Sequence, residues 1–120
     1  MKTEQILNEI GFNEFISFDL ETTGLNPNKN EIIEISAVKF KKGMYHSEFS
    51  TLVKPETEIP KHISKITGIT NSMVFNSPNI KKVLPDFIEF VNNSNLIAHN
   101  IDFDLGFIKK YLQKYDKQIN

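Results

Sequence analysis

The sequence predicts an α/β layer protein built on a mixed β-sheet flanked by helices. Three observations lead there. Phe15 to Thr22 alternates apolar and polar residues with a period of two, the signature of a half-buried strand. Two further runs of the same kind, Glu31 to Phe40 and Tyr45 to Val53, are separated by little more than Lys41-Lys42-Gly43, which implies an antiparallel hairpin. A short apolar run, Leu96 to His99, follows a long helical stretch, so it should return parallel to the first strand. Strand, hairpin, helices, strand and helix, in that order, form a layered fold rather than a bundle or a sandwich.

Each element has a local reason. Thr3 to Ile10 reads as a short helix, with Thr3 as N-cap, Ile6, Leu7 and Ile10 on one side and Gly11 as the stop. This extension (residues 1–13) is expected to dock on the domain that runs from residue 14 to residue 120. In the first strand Ile16, Phe18 and Leu20 point one way, and Ser17, Asp19 and Glu21 the other. Thr22-Thr23-Gly24 then turns the chain, and Asn26 to Asn30 is an exposed loop of turn formers. In the second strand Ile33, Ile35 and Ala37 share one face; in the third, Tyr45, Phe49 and Val53 do. His62 to Thr70 suggests a helical turn broken by Gly68, and Thr70 can cap another short helix through Val74. Ser77 as cap and Pro78 at the first helical position open a longer helix, in which Ile80, Leu84, Phe87, Ile88 and Val91 repeat at helical spacing. Pro85 inside that pattern should kink or break it. Leu96 to His99 reads as a buried strand. The last helix opens at or near Asp102 and packs through Phe103, Phe107, Ile108, Tyr111, Leu112 and Tyr115.

Composition narrows the classes of function. The chain has 120 residues, enough for one domain with one modest core. It has no cysteine, which excludes disulfides, thiolate metal sites and cysteine nucleophiles. No apolar run is long enough to span a bilayer and residues 1–5 start no signal-peptide core, so a cytoplasmic protein is expected, without a membrane partner. Net charge is −1, and all fourteen basic residues are lysine. Without arginine there is no bidentate guanidinium clamp, so phosphate contacts fall to lysine, backbone N–H groups, hydroxyls or a bound metal.

The chemistry-bearing residues are acidic. Asp19 and Glu21 lie on one side of one strand, about 7 Å apart at the backbone, within reach of one hard cation. By itself Asp-x-Glu also reads as a solvent-facing strand edge. Asp102 and Asp104 come where a strand ends and a helix begins, and also read as acids favoured by the helix dipole. If the fourth strand lies beside and parallel to the first, Asp104 faces Asp19 and Glu21. Three converging carboxylates repel each other, and divalent ions with a preference for oxygen ligands, Mg²⁺ or Mn²⁺, relieve that repulsion.

Phe18-Asp19-Leu20-Glu21-Thr22-Thr23-Gly24 closely resembles the first motif of the DEDDh (DnaQ-like) family of 3′–5′ exonucleases, which includes the epsilon proofreading subunit of DNA polymerase III and the exonuclease domain of the Gram-positive replicative polymerase. Ala98-His99-Asn100-Ile101-Asp102-Phe103-Asp104-Leu105-Gly106-Phe107 resembles the second motif, and the resemblance selects Asp104 over Asp102. Ile66-Thr67-Gly68-Ile69-Thr70 resembles the segment that lines the terminal nucleotide, where many members have histidine in place of Thr67. The resemblance implies a ribonuclease-H-like fold and a two-metal mechanism. Asp19 would bind both ions, Glu21 the ion that generates the nucleophile, and Asp104 the ion facing the leaving oxygen. Thr22, Thr23, Gly24, Thr67, Gly68 and Asn100 would contact the terminal nucleotide, although a simple turn or helix cap explains some of them equally well. The implied substrate is a single-stranded DNA 3′ end, with RNA as the alternative, and the implied partner is a DNA polymerase subunit. The same resemblance requires a third motif, a histidine base and a further carboxylate five residues later. His46, His62 and His99 all precede the place where that motif belongs, so the sequence reads as the N-terminal two thirds of such a domain, with weak or no hydrolysis expected of it. A catalytically silent copy, or a partner that supplies the missing pair, would fit the same residues. A non-catalytic nucleic-acid- or polymerase-binding module of the same fold is the alternative function.

Overall fold

The computed structural model describes residues 14–92 and 94–119, with side chains as far as residue 115. The expected helix at Thr3 to Ile10 lies outside the described residues. Four strands form one sheet in the order β3-β2-β1-β4: β1 (Glu14–Thr22), β2 (Ile32–Lys41), β3 (Met44–Leu52) and β4 (Asn95–Ile97). Among the described residues four helices accompany them: α1 (Lys61–Thr67), α2 (Asn71–Val74), α3 (Ile80–Val91) and α4 (Ile101–Ile119).

The hairpin turn forms because Lys42 and Gly43 both adopt positive φ, 54° and 74°, the backbone that matches the twist of the flanking strands. β1 pairs antiparallel with β2 and parallel with β4, so the crossover from the first strand to the fourth has the expected sense. Ile16, Phe18 and Leu20 of β1 face the helices with Ile35 and Ala37 of β2, and Leu84, Phe87, Phe107, Ile108 and Tyr111 close over them. Phe87 contacts both Phe18 and Phe49, with ring centroids 5.9 and 5.8 Å apart. Burying each such side chain contributes about 1.5–3 kcal/mol, so this layer holds the sheet against α3 and α4. A second small cluster, Ile33, Ile59, Ile69 and Val74, seats α1 and α2 at the end of β2.

Three expectations are corrected and a fourth is narrowed. Tyr45 does not share the inward face of Phe49 and Val53: the β2–β3 register shifts between Lys39 and Phe40, which moves Tyr45 opposite Phe40 and leaves it exposed. α3 begins at Ile80 with Asn79 as its cap, accepting from the Lys82 N–H at 3.1 Å, instead of at Ser77-Pro78. The Pro78 carbonyl is taken by the Lys54 N–H at 2.9 Å, which ties that residue to the end of β3. Of the two outcomes expected at Pro85, a kink or a break, the break does not occur: the helix runs on to Val91 with the proline exposed. β4 is half-exposed rather than buried, because it is the edge strand and pairs with β1 over only three residues.

Candidate active site at the end of the parallel strands

β1 presents Asp19 and Glu21 on the face opposite Ile16, Phe18 and Leu20, as the alternation requires. The parallel pairing ends at Ser17 and Ile97, so the residues after β4 continue alongside Asp19. Asn100 closes that connection by capping α4: its side-chain oxygen accepts from the Phe103 N–H at 3.3 Å and its carbonyl from the Asp104 N–H at 3.1 Å. The cap fixes the first turn of α4 and delivers Asp104, only 3% exposed, to the neighbourhood of Asp19. Asp102, by contrast, is exposed.

The electrostatics register this convergence. Burial, then the charge of Asp19, push the Asp104 carboxyl up to about 6, while His99 pulls it down. Burial, then Asp19, then Glu34, hold the Glu21 carboxyl above its ordinary range. Asp19 is therefore the shared neighbour of two carboxylates that it disfavours in their charged form. The structure brings Asp19 to Glu21 and Asp19 to Asp104; among the described residues it does not arrange three such side chains as a ready-made metal cage. The donor chemistry nonetheless suits a hard divalent cation: oxygen ligands only, like-charged, and without an arginine anywhere in the chain.

Glu34 is the carboxylate that sequence reasoning missed. It lies directly across from Glu21 in the β1–β2 register. The alternation of β2 sets it on the face opposite Ile35 and Ala37, but only the register puts it opposite Glu21.

The other expected site residues are placed less freely. The Thr22 hydroxyl donates to the Gly24 carbonyl at 2.7 Å, and the buried Thr23 hydroxyl accepts from the Glu31 N–H at 2.9 Å. The Thr67 hydroxyl donates to the Ile63 carbonyl at 2.8 Å and accepts from the Ile69 N–H at 3.1 Å, closing the end of α1. Gly68 follows as the left-handed C-cap, φ 78°. Thr22, Thr23, Thr67 and Asn100 thus each make turn or cap hydrogen bonds. Leu25 and Ile66, next to Gly24 and Thr67 in the chain, are 84% and 77% exposed. The clefts of about 200 and 360 Å³ that share Glu31 and Glu56 in their walls include none of the three expected metal-binding carboxylates.

Residues 16–120 match the RNase_T exonuclease family. The chain belongs to the exonuclease family. Within it, the chain is 50% identical over 106 residues to the DNA polymerase III PolC-type protein of Clostridium perfringens (strain 13 / Type A), a match that covers 88% of this chain and 7% of that protein. It is 44% identical over 101 residues to the DNA polymerase III subunit epsilon of Aquifex aeolicus (strain VF5), covering 84% of this chain and 50% of that one. The exonuclease-family chain therefore spans half or less of the length of these relatives. Among solved structures it is similar to exonuclease X in complex with 5′ overhanging duplex DNA, with TM-score 0.64 and 33% identity over 75% of this chain and 51% of that one. The nuclease domain of 3′hExo, a DEDDh family member bound to rAMP, superposes with TM-score 0.72 at 21% identity, over 88% of this chain and 60% of that one, and shares the fold. The mixed sheet with its flanking helices is the ribonuclease-H-like fold of these exonucleases, as the sequence motifs implied.

Proposed function

We propose that this chain carries the metal-binding part of a 3′–5′ exonuclease acting on DNA ends, and that Asp19, Glu21 and Asp104 are its metal ligands. The observation that carries the reading is the position of Asp19 between two carboxylates, each held above its ordinary range in part by the Asp19 charge. Such repulsion brings a fold no benefit unless a cation relieves it. Divalent ions at this site, two in a complete family site, would polarise the scissile phosphodiester and lower the pKa of a water.

The chain's own residues do the rest. Asp19 is central and exposed, so it reaches toward both neighbours. Glu21 and Asp104 take opposite sides of it, one on the strand and one on the helix. Thr22, Thr23 and Gly24 form one wall of the nucleotide pocket through their backbone, and Thr67 and Gly68 form the other. Asn100 serves by fixing the first turn of α4. Exposed Leu25 and Ile66 offer apolar surface on which a base can stack. The resemblance assigns general-base assistance, commonly worth roughly 10²–10⁴-fold, to a histidine that none of His46, His62 and His99 matches. The relatives named as DNA polymerase III components support a replication setting, with a polymerase subunit as partner and the cytoplasm as location.

A second reading, a binding module of the same fold, is favoured by one observation: the hydroxyls of Thr22, Thr23 and Thr67 are already engaged in the fold. Digestion of a 5′-labelled single strand with Mg²⁺ or Mn²⁺, beside Asp19→Ala, separates the two. A ladder of 3′-shortened products that the variant lacks supports the nuclease. Metal-dependent binding of the strand without shortening, even at high protein concentration, supports the module.

A further inference from the structure

Glu31 stands apart from the carboxylates of the acidic strand face, yet it joins the turn that carries Thr22, Thr23 and Gly24 to the loop that leads into α1. Its backbone grips the turn after β1: the Thr23 N–H donates to the Glu31 carbonyl at 2.8 Å, and the Glu31 N–H donates to the Thr23 hydroxyl at 2.9 Å. Its side chain grips the loop after β3. The carboxylate accepts from the Glu56 N–H at 2.7 Å, the Thr57 N–H at 3.1 Å and the Thr57 hydroxyl at 2.9 Å.

The loop held in this way leads directly into α1. Ile59 is buried, and Asn71 clamps its backbone with bonds of 2.8 and 3.3 Å. The Pro60 carbonyl then accepts from the Ile63 and Ser64 N–H groups in the first turn of α1. Three hydrogen bonds to one carboxylate, two of them from successive backbone amides, define an orientation as well as a contact. Asn30 secures the same turn from its other side. Its side-chain oxygen accepts from the Asn26 N–H at 3.0 Å, and its carbonyl takes the Lys110 ammonium of α4 at 3.0 Å.

We infer that Glu31 is a positioning residue whose carboxylate sets the separation between the Thr22-Thr23-Gly24 turn and the Thr67-Gly68 end of α1. The identity of the ligand between those two walls rests on the nuclease reading; the mechanical coupling between them does not. Glu31 acts through the segments it holds and touches no reacting atom.

The test is amide hydrogen exchange together with titration of thymidine 5′-monophosphate in Mg²⁺, on the wild-type chain and on Glu31→Ala, Glu31→Gln and Thr57→Val. In Glu31→Ala, exchange at Glu56 and Thr57 should accelerate and the acceleration should extend through residues 61–69, while α4 keeps wild-type protection. The nucleotide Kd should rise roughly tenfold, with the Mg²⁺ Kd unchanged. Glu31→Gln, whose amide oxygen still accepts, and Thr57→Val, which removes one donor of three, should fall between. Wild-type exchange over 61–69 in Glu31→Ala would overturn the inference. So would acceleration spread evenly over the sheet and α4, which marks general loss of stability. The localised exchange pattern in Glu31→Ala, together with a wild-type chain that binds no nucleotide, would uphold the coupling and overturn the nuclease reading instead.

Discussion

Asp104 is a nearly buried carboxyl whose proton the folded chain retains up to a pH of about 6, against an ordinary value of 3.8. Between those values the folded state binds a proton that the unfolded state releases. Its contribution to stability is therefore full below about pH 4 and is lost as pH rises through about 6. Urea unfolding in EDTA should show a more stable protein at pH 5 than at pH 7, by about 1 kcal/mol. Asp104→Asn should flatten that slope, and Glu21, shifted in the same direction, should leave a smaller residue of it. A stability that rises from pH 5 to pH 7 would contradict the assignment. Leu25 and Ile66 allow a second test at this scale. Being exposed, they should tolerate Leu25→Ala and Ile66→Ala within about 0.5 kcal/mol of stability, while the Kd for a single strand in Mg²⁺ rises several-fold. Unchanged binding would remove them from the pocket. The shared strand face of Asp19 and Glu21 was legible in the sequence because it follows from a period of two, whereas Asp104 was separated from Asp102 only by the motif resemblance. Glu34 and Glu31 were not: one needs the strand register, the other a contact across 25 or more residues.

At the scale of elements, the turn after β1 is the least forgiving. A Cβ on Gly24 would lie 2.5 Å from the Asn30 side-chain amide, so Gly24→Ala should push that amide aside, break its hydrogen bond from the Asn26 N–H and cost about 1–3 kcal/mol. A Cβ on Gly68 meets nothing within 4 Å, and Gly68→Ala should cost only the left-handed backbone, about 1 kcal/mol. Chemical denaturation ranks the two; a larger loss at Gly68 would contradict the packing. Pro85 supplies the opposite sign. It sits exposed inside α3 without ending it, so Pro85→Ala should restore a backbone donor and raise the melting temperature by several degrees. A lower melting temperature would mean that the ring itself packs. The hairpin, the parallel return of β4 and the short helices up to Gly68 and from Thr70 were readable, because turn residues and periodicity are local. The register shifts beside Glu21 and Lys39 were not, since one extra residue in a strand leaves no mark in its alternation. The start of α3 was misplaced for a similar reason: a long-range bond from Lys54 to Pro78 decided it.

Across the whole molecule, the sheet divides the chain into two sides of different character. The helices cover the side of Ile16, Phe18 and Leu20. The other side carries Asp19, Glu21 and Glu34 beside a stacked Phe15–Phe40 pair, centroids 5.1 Å apart, with Tyr45 and Ile97 exposed. Asp19, Glu21 and Glu34 thus lie on the face that α3 and α4 leave uncovered, and Asp104 neighbours Asp19 from α4, which gathers an acidic patch in a protein of net charge −1 without arginine. We propose that this patch is a divalent-metal site. Its most direct test is a Mn²⁺ titration followed by paramagnetic broadening of backbone amide signals, on the wild-type chain and on Asp19→Asn. A divalent-metal site predicts saturable broadening centred on residues 19–21 and 104, with affinity at least tenfold weaker in the variant. Broadening elsewhere, or equal broadening in both proteins, would contradict it.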